Sequence, residues 1–214
     1  MLIPFRILMD KYNIACKSVI HVGAHKAEEN QAYRENGVEK VVWIEANPSL
    51  IGDLQSIVGE DLVLQAVVSD VDDQECTFNF ATSTQSSSIL KMDLHRKFFP
   101  RVKVEDTLAV RTITLQKLFM ENDLLIDDFD MINVDIQGAD LFALKGLGDS
   151  ISSLKVIYTE INTKPMYEDC PLLDEMDEYL AKYNFKRVET VMWKDHPWGD
   201  AIFIKCEQDK VEHE

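Results

Sequence analysis

Basic side chains are scarce in this sequence: 22 Lys and Arg stand against 38 Asp and Glu, leaving a formal net charge of −16. Sequence-independent binding of nucleic acid depends on clustered cations that displace counterions from phosphate, so no nucleic-acid partner is expected. An anionic membrane surface is disfavoured for the same reason. Long apolar runs are missing too, and none approaches the length needed to cross a bilayer. The N-terminus mixes Arg6, Asp10 and Lys11 among apolar residues and reads as a packed helix, not a secretion signal. Cysteine is limited to Cys16, Cys76, Cys170 and Cys206, with no C-x-x-C pair and no His nearby at a metal-ligand spacing. Four reduced thiols in a cytoplasmic protein are the expectation. No break in composition divides the 214 residues, so one domain over 1–206 and a frayed polar tail over 207–214 are expected.

Glycine is also sparse where a dinucleotide fingerprint would need it. After Gly23, the later positions of G-x-G-x-x-G are held by His25 and Glu28. What is present is Val19-Ile20-His21-Val22-Gly23, an apolar run suited to a strand buried on both faces, ended by a residue free to turn and without a Cβ to keep a ligand away. A helix over 27–36 with Gly37 as its stop completes a strand, turn and helix N-terminus, a ready site for the anionic part of a cofactor. The second strand, 41–44, ends in Glu45, about twenty residues past the turn, where a carboxylate can accept both ribose hydroxyls of an adenosine. NAD and S-adenosylmethionine sites share that feature. An ordinary βαβ unit with an incidental surface acid fits it as well.

Further elements follow in order. Residues 5–15 have amphipathic helical spacing, with Phe5, Leu8, Met9 and Tyr12 on one face. A helix over 50–58 precedes a third strand over 62–68, whose end should lie near an adenine ring if one is bound. Residues 76–80 alternate like a strand, and the serine-rich stretch 82–88 after them is either a solvated loop or one that folds over a cofactor. Lys91, Arg96, Lys97, Arg101 and Lys103 face a single acid, Asp93, for a local charge of five minus one, plus four. That segment is either a solvated face paired with acids elsewhere or an attractor of an anionic or phosphorylated acceptor. A helix over 115–122, a fourth strand over 130–135, a helix with Leu141, Leu144 and Leu147 on one stripe, a fifth strand over 156–159 and a helix over 172–183 lead to a closing hairpin, 187–193 and 201–205. Asp135 stands at a strand end, where it either faces a reaction centre or caps the next helix.

Five blocks sharpen this picture. Ile20–His25, Trp43–Pro48, Asn133–Asp140 with Leu144–Gly146, Tyr158–Asn162 and Trp198–Ala201 occur in an order and spacing that resemble the FkbM family of S-adenosylmethionine-dependent methyltransferases, over about 18–205. His21 stands where that family more often has an acid, and Ala27 where it more often has glycine. The resemblance implies an α/β, Rossmann-like class I methyltransferase fold: a mostly parallel doubly wound sheet with a C-terminal antiparallel hairpin. It implies S-adenosylmethionine as cofactor, with Gly23 and Ala24 at its methionine end, His21 and His25 orienting that end, Glu45 and Ala46 at the ribose, and Ala66 with Val67 at the adenine. The acceptor would be a hydroxyl on a sugar, glycan or other small molecule. Asp135, then His196, then Glu160 would orient it or take its proton. Trp198 could stack on a sugar ring or cover core. The family pattern requires no metal, although Asp135, Glu160 and Asn162 are compatible with one. An NAD-linked Rossmann oxidoreductase and a catalytically silent Rossmann-like binding module are the other readings of the same residues.

Overall fold

Ser18–Val22 is buried along its whole length, as a strand must be when a sheet is covered on both faces, and it forms β1. The computed structural model describes residues 1–206, so the tail read at 207–214 lies outside the described residues. Helix α1 (Phe5–Tyr12) precedes β1, and α2 (Asn30–Glu35), β2 (Lys40–Glu45), α3 (Ile51–Val58), β3 (Leu62–Gln65) and β4 (Val67–Val68) follow it. The middle of the chain holds β5 (Glu75–Ala81), α4 (His95–Phe98), β6 (Val104–Ile113), α5 (Leu115–Glu121), β7 (Met131–Val134) and α6 (Asp140–Lys145). It closes with β8 (Val156–Asn162), α7 (Leu173–Ala181), β9 (Phe185–Met192) and β10 (Trp198–Lys205).

The main sheet has seven strands in the order β3-β2-β1-β7-β8-β10-β9. Pairing is parallel from β3 to β8, while β10 runs antiparallel to both β8 and β9. Side chains alternate across it. Ile20 and Val22 join Ile132, Val134, Leu141 and Leu180 on one face, and Val19 joins Val41, Trp43, Leu8 and Leu54 on the other. The strand order reverses between β1 and β7, which is where an open α/β sheet leaves a crevice at its carboxyl edge.

Several elements differ from the sequence reading: it contains no α4, and β8 and β10 each run three residues longer than expected. The helix expected from residue 27 starts at Asn30, because His25 (φ 44°) and Ala27 (φ 51°) hold the segment before it in turns. The strand expected over 62–68 divides at Ala66: β3 pairs with β2, and β4 pairs with β6 in a separate sheet of order β4-β6-β5. Strand β6 has mostly exposed side chains and thus no apolar alternation to betray it. Helix α1 stops at Tyr12, where Asn13 turns left-handed (φ 51°) and its N–H donates to the Met9 carbonyl.

At the sheet's switch point Gly23 has φ 87°, and a Cβ there would fall 1.9 Å from the Asp135 carbonyl oxygen. The missing side chain is therefore required by the protein's own backbone. Gly23→Ala should cost on the order of 1–3 kcal/mol in chemical denaturation; an unchanged midpoint would contradict this close approach.

Under β1, His21 is buried with its Nδ1 3.0 Å from Tyr33 Oη, and Asn133 Nδ2 donates to the same oxygen at 2.9 Å. These bonds tie α2 to β1 and β7. Burial pushes the His21 pKa down to about 4, against the pull of Glu29, whose Oε2 lies 3.9 Å from Nε2. Between about pH 6.5 and 4 the unfolded chain binds a proton that the folded chain refuses, so His21 makes stability fall as pH falls. The loss should approach about 3 kcal/mol, and His21→Gln should lose less stability between pH 7 and pH 4.5 in denaturant titrations.

Candidate functional site

A cleft of about 320 Å³ opens over the carboxyl ends of β1, β2, β7 and β8, with the start of β10 as a further wall. Its floor carries Gly23, Glu45, Asp135 and Glu160, which parallel strands deliver to one edge. Ile44, Ala46, Ala66, Val67, Val68 and Phe78 supply an apolar wall on the β2 side. The serine-rich stretch forms a roof: a 3₁₀ turn at Thr84–Ser86 places Thr84, Gln85, Ser87 and Ser88 on the cleft. Thr84 Oγ1 lies 2.8 Å from His25 Nε2, Gln85 Nε2 donates to Glu28 Oε1 at 3.3 Å, and Ser88 Oγ donates to the Gln137 carbonyl at 2.9 Å. Of the two readings of this loop, the one that folds it over the site matches the structure.

The glycine turn is not the open amide cradle that the sequence suggested. The N–H groups of Gly23 and Ala24 both donate to the Ile44 carbonyl, at 2.9 and 3.0 Å. The next amide, of His25, donates to Glu45 Oε2 at 2.7 Å, and the Lys26 amide to Glu28 Oε2 at 3.3 Å. Helix α2 begins too late to offer its N-terminus here. Glu45 Oε1 accepts the Asn47 amide at 2.7 Å, so the carboxylate is pinned between two backbone segments. Each of its oxygens still has a lone pair, and the residue lines the cleft.

Acidic side chains dominate the charge of the cleft. Glu28, Glu29, Glu45, Asp135, Glu160 and Asp200 line it, and among the described residues no Lys or Arg does. The Met1 amine sits 2.9 Å from Glu29 Oε1 on the same wall. Asp200 is held by Tyr158 Oη and by the Leu2 amide at 2.5 Å. Its carboxyl lies above the usual range through burial, despite these donors.

Asp135 and Glu160 are joined by one amide: Gln137 Nε2 donates to Asp135 Oδ1 at 2.9 Å and to Glu160 Oε2 at 3.1 Å. Tyr167 Oη donates to Gln137 Oε1 at 2.8 Å and fixes that amide's orientation. Asp135 is pushed up to about 6 by its sheltered position and by the charge of Asp200. It also opens onto the water of the cleft, which screens part of that push. Glu160 is buried and lies well above the ordinary carboxylate range, first through burial and then through Asp135, Asp140 and Asp200. Two neighbouring carboxyl groups, joined through one amide, are thus both raised above the ordinary carboxylate range.

The cleft brings together His21, Gly23, His25, Glu45, Ala46, Ala66, Val67, Asp135 and Glu160. Ala24 is buried behind it. His196 is not part of its wall: the imidazole stacks on Phe99 at 5.4 Å, and its Nδ1 lies 3.1 Å from the Trp193 carbonyl. Asp135 caps no helix. That bracing falls to Asp140, whose carboxylate accepts the Ile136 and Gly138 amides, each at 3.0 Å. Gln137 escaped the sequence reading, although a polar residue ahead of Gly138 just past a strand end is the signal that could have found it. It is left-handed, with φ 57°. Among the described residues no group of three or more His, Cys, Asp or Glu is placed to hold a metal ion, and no helix is long and apolar enough to cross a membrane.

Solved structures share this architecture. A candidate RNA methyltransferase of Pyrococcus horikoshii, PH1948, superposes with a TM-score of 0.50 at 11% identity, covering 96% of this chain and 81% of that one. An uncharacterized protein of Listeria monocytogenes serotype 4b gives 0.51 at 8% identity, covering 96% and 69%. At such identities the likeness shows the fold alone, the class I methyltransferase fold. No curated protein matches the chain. The profile of the methyltransferase FkbM domain matches residues 21–187. That span runs from inside β1 into β9 and takes in the strand ends that build the floor of the cleft, and the chain belongs to the FkbM family of methyltransferases.

Proposed function

We propose that this methyltransferase methylates a hydroxyl oxygen on a sugar, glycan or other small-molecule acceptor. S-adenosylmethionine is the cofactor that the family and the fold support. The observation that carries the donor reading is the lining of the cleft: carboxylates without a Lys or Arg among the described residues, and a turn whose amides are already bonded to Ile44, Glu45 and Glu28. A nicotinamide dinucleotide brings a pyrophosphate, which would meet repulsion and, at the turn, no free backbone N–H. A sulfonium with an ammonium group meets attraction.

When bound, S-adenosylmethionine supplies a methyl group made electrophilic by the positive sulfur. Glu45 has lone pairs left for ribose hydroxyls, and Ala46, Ala66, Val67 and Val68 offer an apolar slot for the adenine. His21, neutral at physiological pH, and His25 flank the turn on the methionine side. The roof from Thr84 to Ile89 covers the cleft beside Gln137, where Ser88 holds the backbone next to Asp135. Asp135, whose pKa is about 6, is ionised at neutral pH and takes the proton that the acceptor hydroxyl gives up. Glu160, its carboxyl pKa raised by burial, orients the acceptor oxygen. Gln137 holds both carboxyl groups in place. Trp198, on the β10 wall, offers a ring face to a sugar.

Calorimetric titration should show S-adenosylhomocysteine binding and no NADH binding, and Glu45→Gln should weaken the former by about tenfold. Affinity unchanged in that variant would remove Glu45 from the donor site. With any hydroxyl compound that the enzyme turns over, kcat/KM should rise with pH through an apparent pKa near 6, as Asp135 loses its proton. Asp135→Asn should lower kcat by about a hundredfold and flatten that limb; a profile of unchanged shape would exclude Asp135 as the base.

A further inference from the structure

The basic segment before β6 remains outside the site described above. Lys91, Arg96, Lys97, Arg101 and Lys103 are all exposed. Among the described residues no carboxylate lies within ion-pair distance of any of them. Elsewhere on the surface Arg34, Arg111, Lys117, Lys155 and Arg187 each hold an acid. In a chain of net charge −16, a local charge of plus four with no partner is a repulsive arrangement that folding does not need.

The segment is firmly seated. Met92, Leu94, Phe99 and Val102 pack inward against Met166, Tyr167 and Trp198, leaving the cations outward. Both of its ends join the cleft roof. Ser88 and Ile89 line the cleft just before Lys91. At the other end the Thr82 amide donates to the Lys103 carbonyl at 2.8 Å, and the Lys103 amide donates to Thr82 Oγ1 at 3.1 Å. The cations therefore ride on an exposed segment, the rim, that begins and ends at the roof of an acidic cleft.

We infer that this rim binds a phosphate group carried by the acceptor, while the acceptor's hydroxyl end enters the cleft. The division follows from charge. Glu28, Glu29, Glu45, Asp135 and Asp200 would repel a phosphate inside, and the rim offers five cations against the single acid Asp93, which pairs with none of them. Arg96 and Arg101 supply planar forks suited to phosphate oxygens, and Lys91, Lys97 and Lys103 supply point charges. The inference rests on the hydroxyl-methylation reading for what happens inside the cleft, and it adds a substrate class: phosphorylated polyols and saccharides.

The full chain, saturated with S-adenosylhomocysteine, is titrated with inositol monophosphate and with inositol. The phosphate ester should bind at least about tenfold tighter than inositol at low salt. Arg96→Gln with Lys97→Gln, both at exposed positions, should abolish that advantage and leave S-adenosylhomocysteine affinity unchanged. Equal binding of the two polyols to the wild type, or an advantage that survives in the variant, overturns the rim as a phosphate subsite. Tighter capture of phosphatidylserine vesicles than of the ester, lost in the same variant, overturns it by giving the rim to a membrane surface. Binding of S-adenosylhomocysteine itself bears only on the methyltransferase reading, so the two can fail separately.

Discussion

The Asp135 carbonyl occupies the place where a side chain on residue 23 would stand. This contact lets the ends of β1 and β7 meet at the point where the sheet reverses its order. Behind it the chain turns back tightly enough for the amides of Gly23 and Ala24 to share the Ile44 carbonyl, which locks the end of β1 to β2. Beyond it Asp135, Gln137 and Glu160 gather over one opening. The cleft is a product of backbone proximity before it is a product of side chains.

Once the turn has satisfied its own amides, charge decides what the cleft can hold. Its carboxylates remain largely without cationic partners, and burial raises Asp135, Glu160 and Asp200 above the ordinary range. Uncompensated acids in a sheltered place are costly to the folded state, and a positively charged ligand removes that cost on binding. The unpaired cations on the neighbouring rim present the opposite case at the surface. The molecule keeps the two signs apart, acids in the cleft and cations on a separate exposed segment.

Much of this was legible in the residues. Strands β1, β7 and β8 are buried at every position, and continuous apolar runs announce such strands. Glu45, Asp135 and Glu160 stand at the ends of the apolar runs of β2, β7 and β8, so their arrival at one edge could be anticipated. Other features left no local trace. Strand β6 is exposed and lacks alternation, and the division at Ala66 depends on which sheet each half joins. His196 sits in the turn ahead of β10, near the cleft in sequence terms, yet Phe98 and Phe99 from α4 and its end draw its ring away.

By itself the sequence determined the buried strands of the main sheet, the family and the residues at the strand ends, because burial periodicity and residue type are local properties. Only the tertiary structure decided that the turn's amides are spent, that Gln137 bridges Asp135 and Glu160, that the serine loop is a roof and that the basic segment has no acidic partners among the described residues. Each of those depends on which distant segment supplies the hydrogen-bond partner or the countercharge. That pairing exists only once the chain has closed on itself.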